Sequence, residues 1–392
     1  MSFYKVADLP ARTANLWPLE GGQILLESKG TSFTLVQNDR LGTTEEIGGG
    51  LPPTSSDPGG TVRTILGRWP DAVWLTWRAV DRWSRPYDMY YDRAFRLRGD
   101  RWEQIDEAPH NEYINHVYQG LWDQGRGCLV GLLADDERAQ NAGVAYQKVL
   151  DCKGQTSPRL SFKATEQEEY GVAAARGWSS GDMLVLEVHA EMKEGEPVPA
   201  RLALSRPGSP NRTEVVLPLP PEILRKKRKF ELYYSHLLGN TPTDVYVVGN
   251  HVLGEVPRYG PPPGDISWLP LLLRFDGTSV AEMPAPPVEI ILDADRGEDG
   301  TLVIVGTPPG DSKARQVQEV WALPRGGAWV RIPMPVDAAV KAAYIPASVA
   351  ARSLSDIWVV AFHGQHGKDL RVALFHSHRL AEAAPGANTT QR

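Results

Sequence analysis

The polar and apolar positions of the chain fall into short runs rather than long amphipathic stretches. Seven runs stand out, each opened by Asp or Gly: QILLE after Gly22, AVWLTW after Asp71, CLVGLL after Gly127, MLVLEV after Asp182, VYVVG after Asp244, TLVIVG after Gly300 and IWVVAF after Asp356. They recur at roughly 50-residue intervals, the period of a repeat architecture. Val, Ile, Leu, Trp and Tyr dominate them, and turn clusters such as RWPD, TPTD and GEDG precede several, so each predicts a strand. Helical periodicity of comparable length is confined to residues 221–238.

The flanks repeat as well. An apolar stretch precedes each run, as in VRTILG from Val62 or EIILDAD from Glu289, and a third strand follows across a variable loop, as in AFRLRGD from Ala94 or LLLRFDG from Leu271. A fourth often comes next, as in RWEQIDEAP from Arg101 or AWVRIPMP from Ala328. Four antiparallel strands per repeat make a propeller blade. The last repeat lacks a fourth strand, whereas SFYKVADLP from Ser2 matches that pattern and has no partner of its own. Pairing the two would remove an open sheet edge. The expected fold is therefore an all-β, seven-bladed β-propeller of four-stranded antiparallel blades closed by the N-terminal strand. The blades are placed at 11–53, 61–109, 113–164, 168–220, 228–287, 288–336 and 339–380 plus 2–10, in one domain over 1–382, and 383–392 is read as a disordered tail. The first blade has the poorest fourth strand, near Glu45, and six or eight blades are the alternatives.

The stretches TDVYVVG…LLRFDGTSVAEM and SDIWVVAF…VALFHSHRL resemble the divergent bacterial propeller repeats built on a D-V-W-A-V-G…L-L-H-(W/F)-D-G-(T/S)-x-W pattern. The resemblance spans nearly the whole chain and is sharpest in blades two, five, six and seven. It implies the fold and no assigned activity. The Gly-His and Trp-Asp pair of WD repeats is absent, and RGEDGTLV from Arg296 matches a sialidase-type Asp-box only in part.

Composition adds limits rather than a function. Of the 392 residues 42% are hydrophobic and 23% charged, ordinary for a soluble globular chain. The 37 Gly and 32 Pro are spread along it, as many short strands and turns require. A net charge of −6 gives no general attraction to nucleic acid or anionic lipid. No apolar run reaches the ~18 residues of a membrane helix, and MSFYKVADLP lacks a signal-peptide core. A cytoplasmic protein without a membrane span is expected; a secreted one whose leader had been removed reads the same.

Candidate chemistry lies in the loops between second and third strands, which are long and share one face, whereas the alternate turns are tight. The loop at 78–92 carries Arg78, Arg82, Trp83, Arg85, Tyr87, Tyr90 and Tyr91, a mixture suited to stacking, cation–π contact and hydrogen bonding. The loop at 250–267 carries His251, Arg258 and Tyr259 beside a Pro triplet, and the loop at 363–369 carries His363 and His366. These twelve residues are the candidate binding set for a protein or small-molecule ligand. Neither His363 with His366 nor His376 with His378 has the further ligands that zinc needs, so no metal or cofactor is expected. His116 and His236 fall on innermost strands, and Glu112, Glu168, Glu169 and Asp293 lie near their entrances, which leaves an axial acidic/His site as the enzymatic alternative. No G-x-S-x-G, P-loop or G-x-G-x-x-G occurs, and no catalytic residue is assigned. RKKRK from Arg225 reads as a solvated linker rather than a nucleic-acid site. Cys128 and Cys152 lie symmetrically about residue 140, so a hairpin would face them across two strands and permit a disulfide. The function expected is non-catalytic recognition or scaffolding through the long loops; the alternative is a hydrolase or lyase working at the axial funnel.

Overall fold

In a computed structural model, the structure describes residues 1–9, 13–19, 23–28, 32–37, 40–41, 51, 61–70, 72–81, 89–111, 119–123, 128–134, 145–151, 161–162, 170–178, 180, 182–189, 199–206, 209, 211–226, 230–253, 266–309, 317–337, 342–364 and 370–378. Among them most strands form four-stranded antiparallel sheets, all but the last a meander in chain order. The first sheet joins β2 (Thr13–Pro18), β3 (Ile24–Ser28), β4 (Ser32–Gln37) and β5 (Arg40–Leu41). The second joins β6 (Thr61–Arg68), β7 (Ala72–Asp81), β8 (Met89–Arg98) and β9 (Arg101–Asn111). The third joins β10 (Gln119–Asp123), β11 (Cys128–Ala134), β12 (Ala145–Asp151) and β13 (Ser161–Phe162). The fourth joins β14 (Tyr170–Gly177), β15 (Met183–His189), β16 (Arg201–Ser205) and β17 (Thr213–Val216). The fifth joins β18 (Phe230–Thr241), β19 (Asp244–Leu253), β20 (Ser267–Phe275) and β21 (Val280–Glu282), and the sixth β22 (Ile290–Arg296), β23 (Leu302–Thr307), β24 (Glu319–Leu323) and β25 (Val330–Ile332). A short ladder of β26 (Val336–Asp337) and β27 (Ala342–Ala343) leads to the last sheet, β28 (Ile345–Ser353), β29 (Asp356–His363) and β30 (Arg371–His378). On the outer side of β30 lies β1 (Ser2–Leu9), antiparallel, from Ser2 opposite His378 to Leu9 opposite Val372.

The first strands of successive sheets touch: β2 lies against β6, β6 against β10, β10 against β14, β14 against β18, β18 against β22, β22 against β28, and β28 against β2. The sheets therefore stand around an axis with their first strands innermost, which is a β-propeller.

This arrangement explains why the second strands read as unbroken apolar runs rather than alternating ones. A blade is covered on both faces by its neighbours, so both residue sets of a strand are buried. On β23, Leu302 and Ile304 pack with Tyr246 and Val248 of the fifth sheet, whereas Val303 and Val305 pack with Val349, Val359 and Phe375 of the last. On β29, Ile357 and Val359 face the sixth sheet, while Trp358 and Val360 face Leu16, Ile24 and Leu26 of the first. Burying each such side chain contributes about 1.5–3 kcal/mol. Polar clasps add specificity between blades. Arg296 pairs with Asp244 and lies over the Tyr246 ring, its guanidinium 4.9 Å from the centroid. Trp178 Nε1 donates to Gly239 O at 3.3 Å, and Trp329 Nε1 to Pro284 O at 2.7 Å.

Several sequence expectations shift. The helical periodicity of 221–238 yields only α1 (Pro221–Lys226), because the apolar residues from Phe230 onward are needed on the inner strand β18. The loop expected to start at Arg78 is occupied by extended strand pairing, with Arg78 opposite Asp92 and Asp81 opposite Met89. The loop expected from Asn250 starts after Leu253, since β19 stays paired that far on both sides. The described fourth strand of the first sheet is Arg40–Leu41, and Glu45 lies outside the described residues. The tail 383–392 lies outside the described residues. No helix among the described residues is long and apolar enough to cross a membrane.

Candidate axial site

Innermost strands have one edge without a ladder partner in their own sheet, so polar groups there must be satisfied across blades or by a ligand. All but β10 also share an irregularity. Register shifts interrupt β2 between Thr13 and Leu16, β6 between Val62 and Thr64, β14 between Val172 and Ala174, β18 between Tyr233 and His236, β22 between Ile291 and Asp293, and β28 between Pro346 and Ser348. Bulges re-aim side chains, and here they do so around the axis.

On β18 and β22 this brings His236, Asp293 and Asp295 together with Arg176 of β14. All four are intermediate in exposure. Asn250 holds the bulge of β22: its Nδ2 donates to Ile291 O at 2.7 Å and its Oδ1 accepts from Ile291 N at 2.8 Å. Asp293 accepts from its neighbour Ala294 N at 2.9 Å and across the blade gap from Val349 N at 2.9 Å. The Ser348 side chain also bonds it, while Ser348 Oγ accepts from Leu16 N at 3.2 Å. Asp295 accepts from Ala351 N at 2.7 Å.

The electrostatics are unusual. Burial pushes Asp295 up to about 7; the N–H groups of Ala351 and Arg296 oppose the shift, the Asp293 charge adds to it, and Arg176 opposes it. Burial also raises Asp293 against the pull of His236 and its hydrogen bonds. His236 is lowered by burial, with Asp293 acting the other way, and its Nε2 is buried without a hydrogen-bond partner among the described residues. A carboxyl that keeps its proton near neutrality can donate it, and a neutral imidazole beside it can accept one.

Of the residues expected at this axis, His236 and Asp293 are found there, whereas His116, Glu112, Glu168 and Glu169 lie outside the described residues. Asp295, Arg176, Asn250 and Ser348 were not foreseen. A signal existed for Asp295, because the alternation in IILDADR gives two acids two residues apart on an otherwise apolar inner strand.

The loop candidates disperse differently. Arg78, Tyr90 and Tyr91 sit on the strands of the extended β7–β8 hairpin, opposite Asp92, Val80 and Ala79. His251 is buried on β19 between Leu232 and Leu269, and burial lowers it to about 4. His363 ends β29, its ring edge-on to Tyr344 at 5.9 Å between centroids. Arg82, Trp83, Arg85, Tyr87, Arg258, Tyr259 and His366 lie outside the described residues. Cys128 opens β11 opposite Asp123, and the next residue, Leu129, pairs with Asp151; Cys152 lies outside the described residues. No group of three or more His, Cys, Asp or Glu side chains among the described residues is placed to hold a metal ion.

No protein-family model matches the chain, and no curated protein matches it. Solved structures do. A xyloglucanase from Xanthomonas campestris aligns with a TM-score of 0.50 at 11% identity over 92% of this chain and 53% of its own. A glucose dehydrogenase aligns with a TM-score of 0.42 at 13% identity over 97% and 100%, and an alpha-L-arabinofuranosidase from Fusarium graminearum with 0.42 at 10% over 96% and 98%. At such identities the likeness is one of fold.

Proposed function

We propose that the chain is a propeller enzyme of the hydrolase or lyase class, acting by proton transfer at the axis rather than serving only as a scaffold. One observation carries the reading: three titratable side chains on two neighbouring inner strands, His236, Asp293 and Asp295, have protonation equilibria displaced from their ordinary values, Asp295 to about 7. Such displacement is more frequent at reaction centres than in structural ion pairs. In this scheme Asp295 is the general acid and His236, with its unpartnered Nε2, the base or the group that binds the ligand. Asp293 tunes both. The ring has seven blades, and β1 closes it by supplying the fourth strand of the last sheet; the β1–β30 ladder and the circle of touching first strands support that count.

The test is turnover of a panel of chromogenic glycosides, carboxylic esters and phosphate esters, with unsaturated products from uronate polysaccharides followed by ultraviolet absorbance. One class should be turned over, and Asp295→Asn should lower the rate by about 100-fold or more. A wild-type protein inert towards every class, or a folded Asp295→Asn variant of undiminished rate, refutes the assignment.

A second reading, recognition by the long-loop face, is favoured by the β7–β8 hairpin. Its strands run ten residues each and include Arg78, Tyr90 and Tyr91. In a blade, second strands end on the face where first strands begin, so this hairpin and the start of β22 share one side of the ring. A partner or substrate held there would cover the axial mouth.

A further inference from the structure

A second array of polar groups, far from the axis, joins the two ends of the chain. Tyr4 on β1 lies directly across from His376 on β30, and its hydroxyl is 2.8 Å from His376 Nδ1. His376 Nε2 is 2.9 Å from Asp356 Oδ1. Trp358 stacks on the imidazole, with centroids 4.1 Å apart and planes 12° from parallel, and donates Nε1 to the same Asp356 oxygen at 2.9 Å. Arg352 approaches the other carboxylate oxygen at 3.3 Å.

The proton positions follow from the partners. A carboxylate only accepts, so in the neutral imidazole the proton sits on Nε2 and the Nδ1 lone pair faces the Tyr4 O–H. A hydroxyl bonded to a base that a carboxylate orients is the general arrangement of an activated nucleophile. We propose that Tyr4 is such a nucleophile, a phenol primed by His376 and Asp356, and the place where this chain takes up an acyl group from an activated ester or imidazolide.

Accessibility fits that role. Tyr4 is 40% exposed, whereas His376 beneath it is 7% exposed, so the tyrosine meets solvent while the imidazole is shielded from it. Burial works against the Asp356 charge, but the His376 hydrogen bond, with Arg352 and Trp358, outweighs it and holds the carboxyl below its usual range. Tyr344 makes a useful contrast: it is buried and gives its hydroxyl directly to the Asp337 carboxylate at 3.0 Å. In the proposed step the Tyr4 oxygen bonds to the acyl carbon and its proton passes to His376 Nδ1. The bond to the leaving group breaks with its electron pair, and the leaving group takes the proton from the imidazolium. The product is an aryl ester, and nothing is oxidised or reduced.

The experiment treats the intact protein with limiting N-acetylimidazole in the presence of N-acetyltyrosinamide and follows acetylation of each tyrosine by peptide mass spectrometry. Tyr4 should react at least about tenfold faster than the free phenol, and His376→Gln, with native circular dichroism, should remove the excess. Tyr4 reacting no faster than N-acetyltyrosinamide would reduce the array to a structural bond and overturn the proposal. So would an excess that survives in His376→Gln. The comparison with the free phenol is made in the wild type and needs no variant to fold. Failure here leaves the axial site untouched, since neither residue belongs to it.

Discussion

Replacing Asp295 by Asn should change how stability depends on pH in a way that reports the dryness of the axis. The ordinary value of 3.8 rises to about 7 in the folded chain, largely by burial. The unfolded chain therefore loses this proton at lower pH than the folded one. Between these values the folded state binds more protons, so the contribution of Asp295 to stability is intact below pH 4 and is lost as pH rises towards 7. A shift of about three units corresponds to roughly 4 kcal/mol in full, of which roughly 2–3 kcal/mol develops between pH 5 and pH 8. The amide cannot ionise. It can still accept from one of the Ala351 and Arg296 N–H groups but turns an NH2 towards the other, a pH-independent cost of about 1–3 kcal/mol. The absolute stability of the variant is thus less telling than its slope. Urea denaturation followed by tryptophan fluorescence at pH 5, 6, 7 and 8 should show the wild type losing stability relative to Asp295→Asn by roughly 2–3 kcal/mol across the range. Parallel curves would mean that Asp295 titrates as an ordinary carboxyl, and the acid assigned to the site would be lost with it.

Three further outcomes can be checked. His251, lowered by burial to about 4 from 6.5, contributes stability that is complete above pH 6.5 and disappears as pH falls towards 4; His251→Leu should remove up to roughly 3 kcal/mol of that acid sensitivity in denaturation at pH 4 against pH 7. Phe375 is fully buried between the sixth and last sheets, its ring centroid 4.8 Å from that of Tyr344, so Phe375→Ala should cost about 3–5 kcal/mol by urea denaturation, and a loss below 1 kcal/mol would contradict the packing. Removing residues 1–9 exposes the outer edge of β30; a lower melting temperature and concentration-dependent association by light scattering are expected, whereas a truncated chain as stable and monodisperse as the full one would show that the β1 ladder does not matter.

What the sequence disclosed follows from how directly each feature is written in residue order. The second strands were legible because both of their faces are buried, as Leu302 and Ile304 against one sheet and Val303 and Val305 against the next demonstrate. The pairing of the first strand with β30 was legible because Ser2–Leu9 carries a fourth-strand pattern with no local partner. Loop limits were less so. VDRWSRPYDMYYD and GNHVLGEV look alike in polarity whether they pair or bulge out, and only the ladder shows that β7, β8 and β19 run on through Asp81, Met89 and Leu253. His251 illustrates the cost: it was read as a loop ligand, whereas cross-strand neighbours Leu232 and Leu269 enclose it.

The axial site was harder still, because its members owe their placement to backbone irregularities that composition does not reveal. The same atoms also serve two ends. Ser348 takes the Leu16 N–H, Asp293 takes that of Val349, and Asp295 takes that of Ala351, so each side chain fastens one inner strand to the next. A ring of similar blades would need only a neutral acceptor such as Ser348 for this purpose, since a buried carboxylate carries a desolvation cost that a hydroxyl avoids. The sixth sheet nevertheless uses two acids, beside an imidazole whose Nε2 has no hydrogen-bond partner among the described residues. Fastening alone does not call for ionisable groups there, and the proton transfer proposed above would use them.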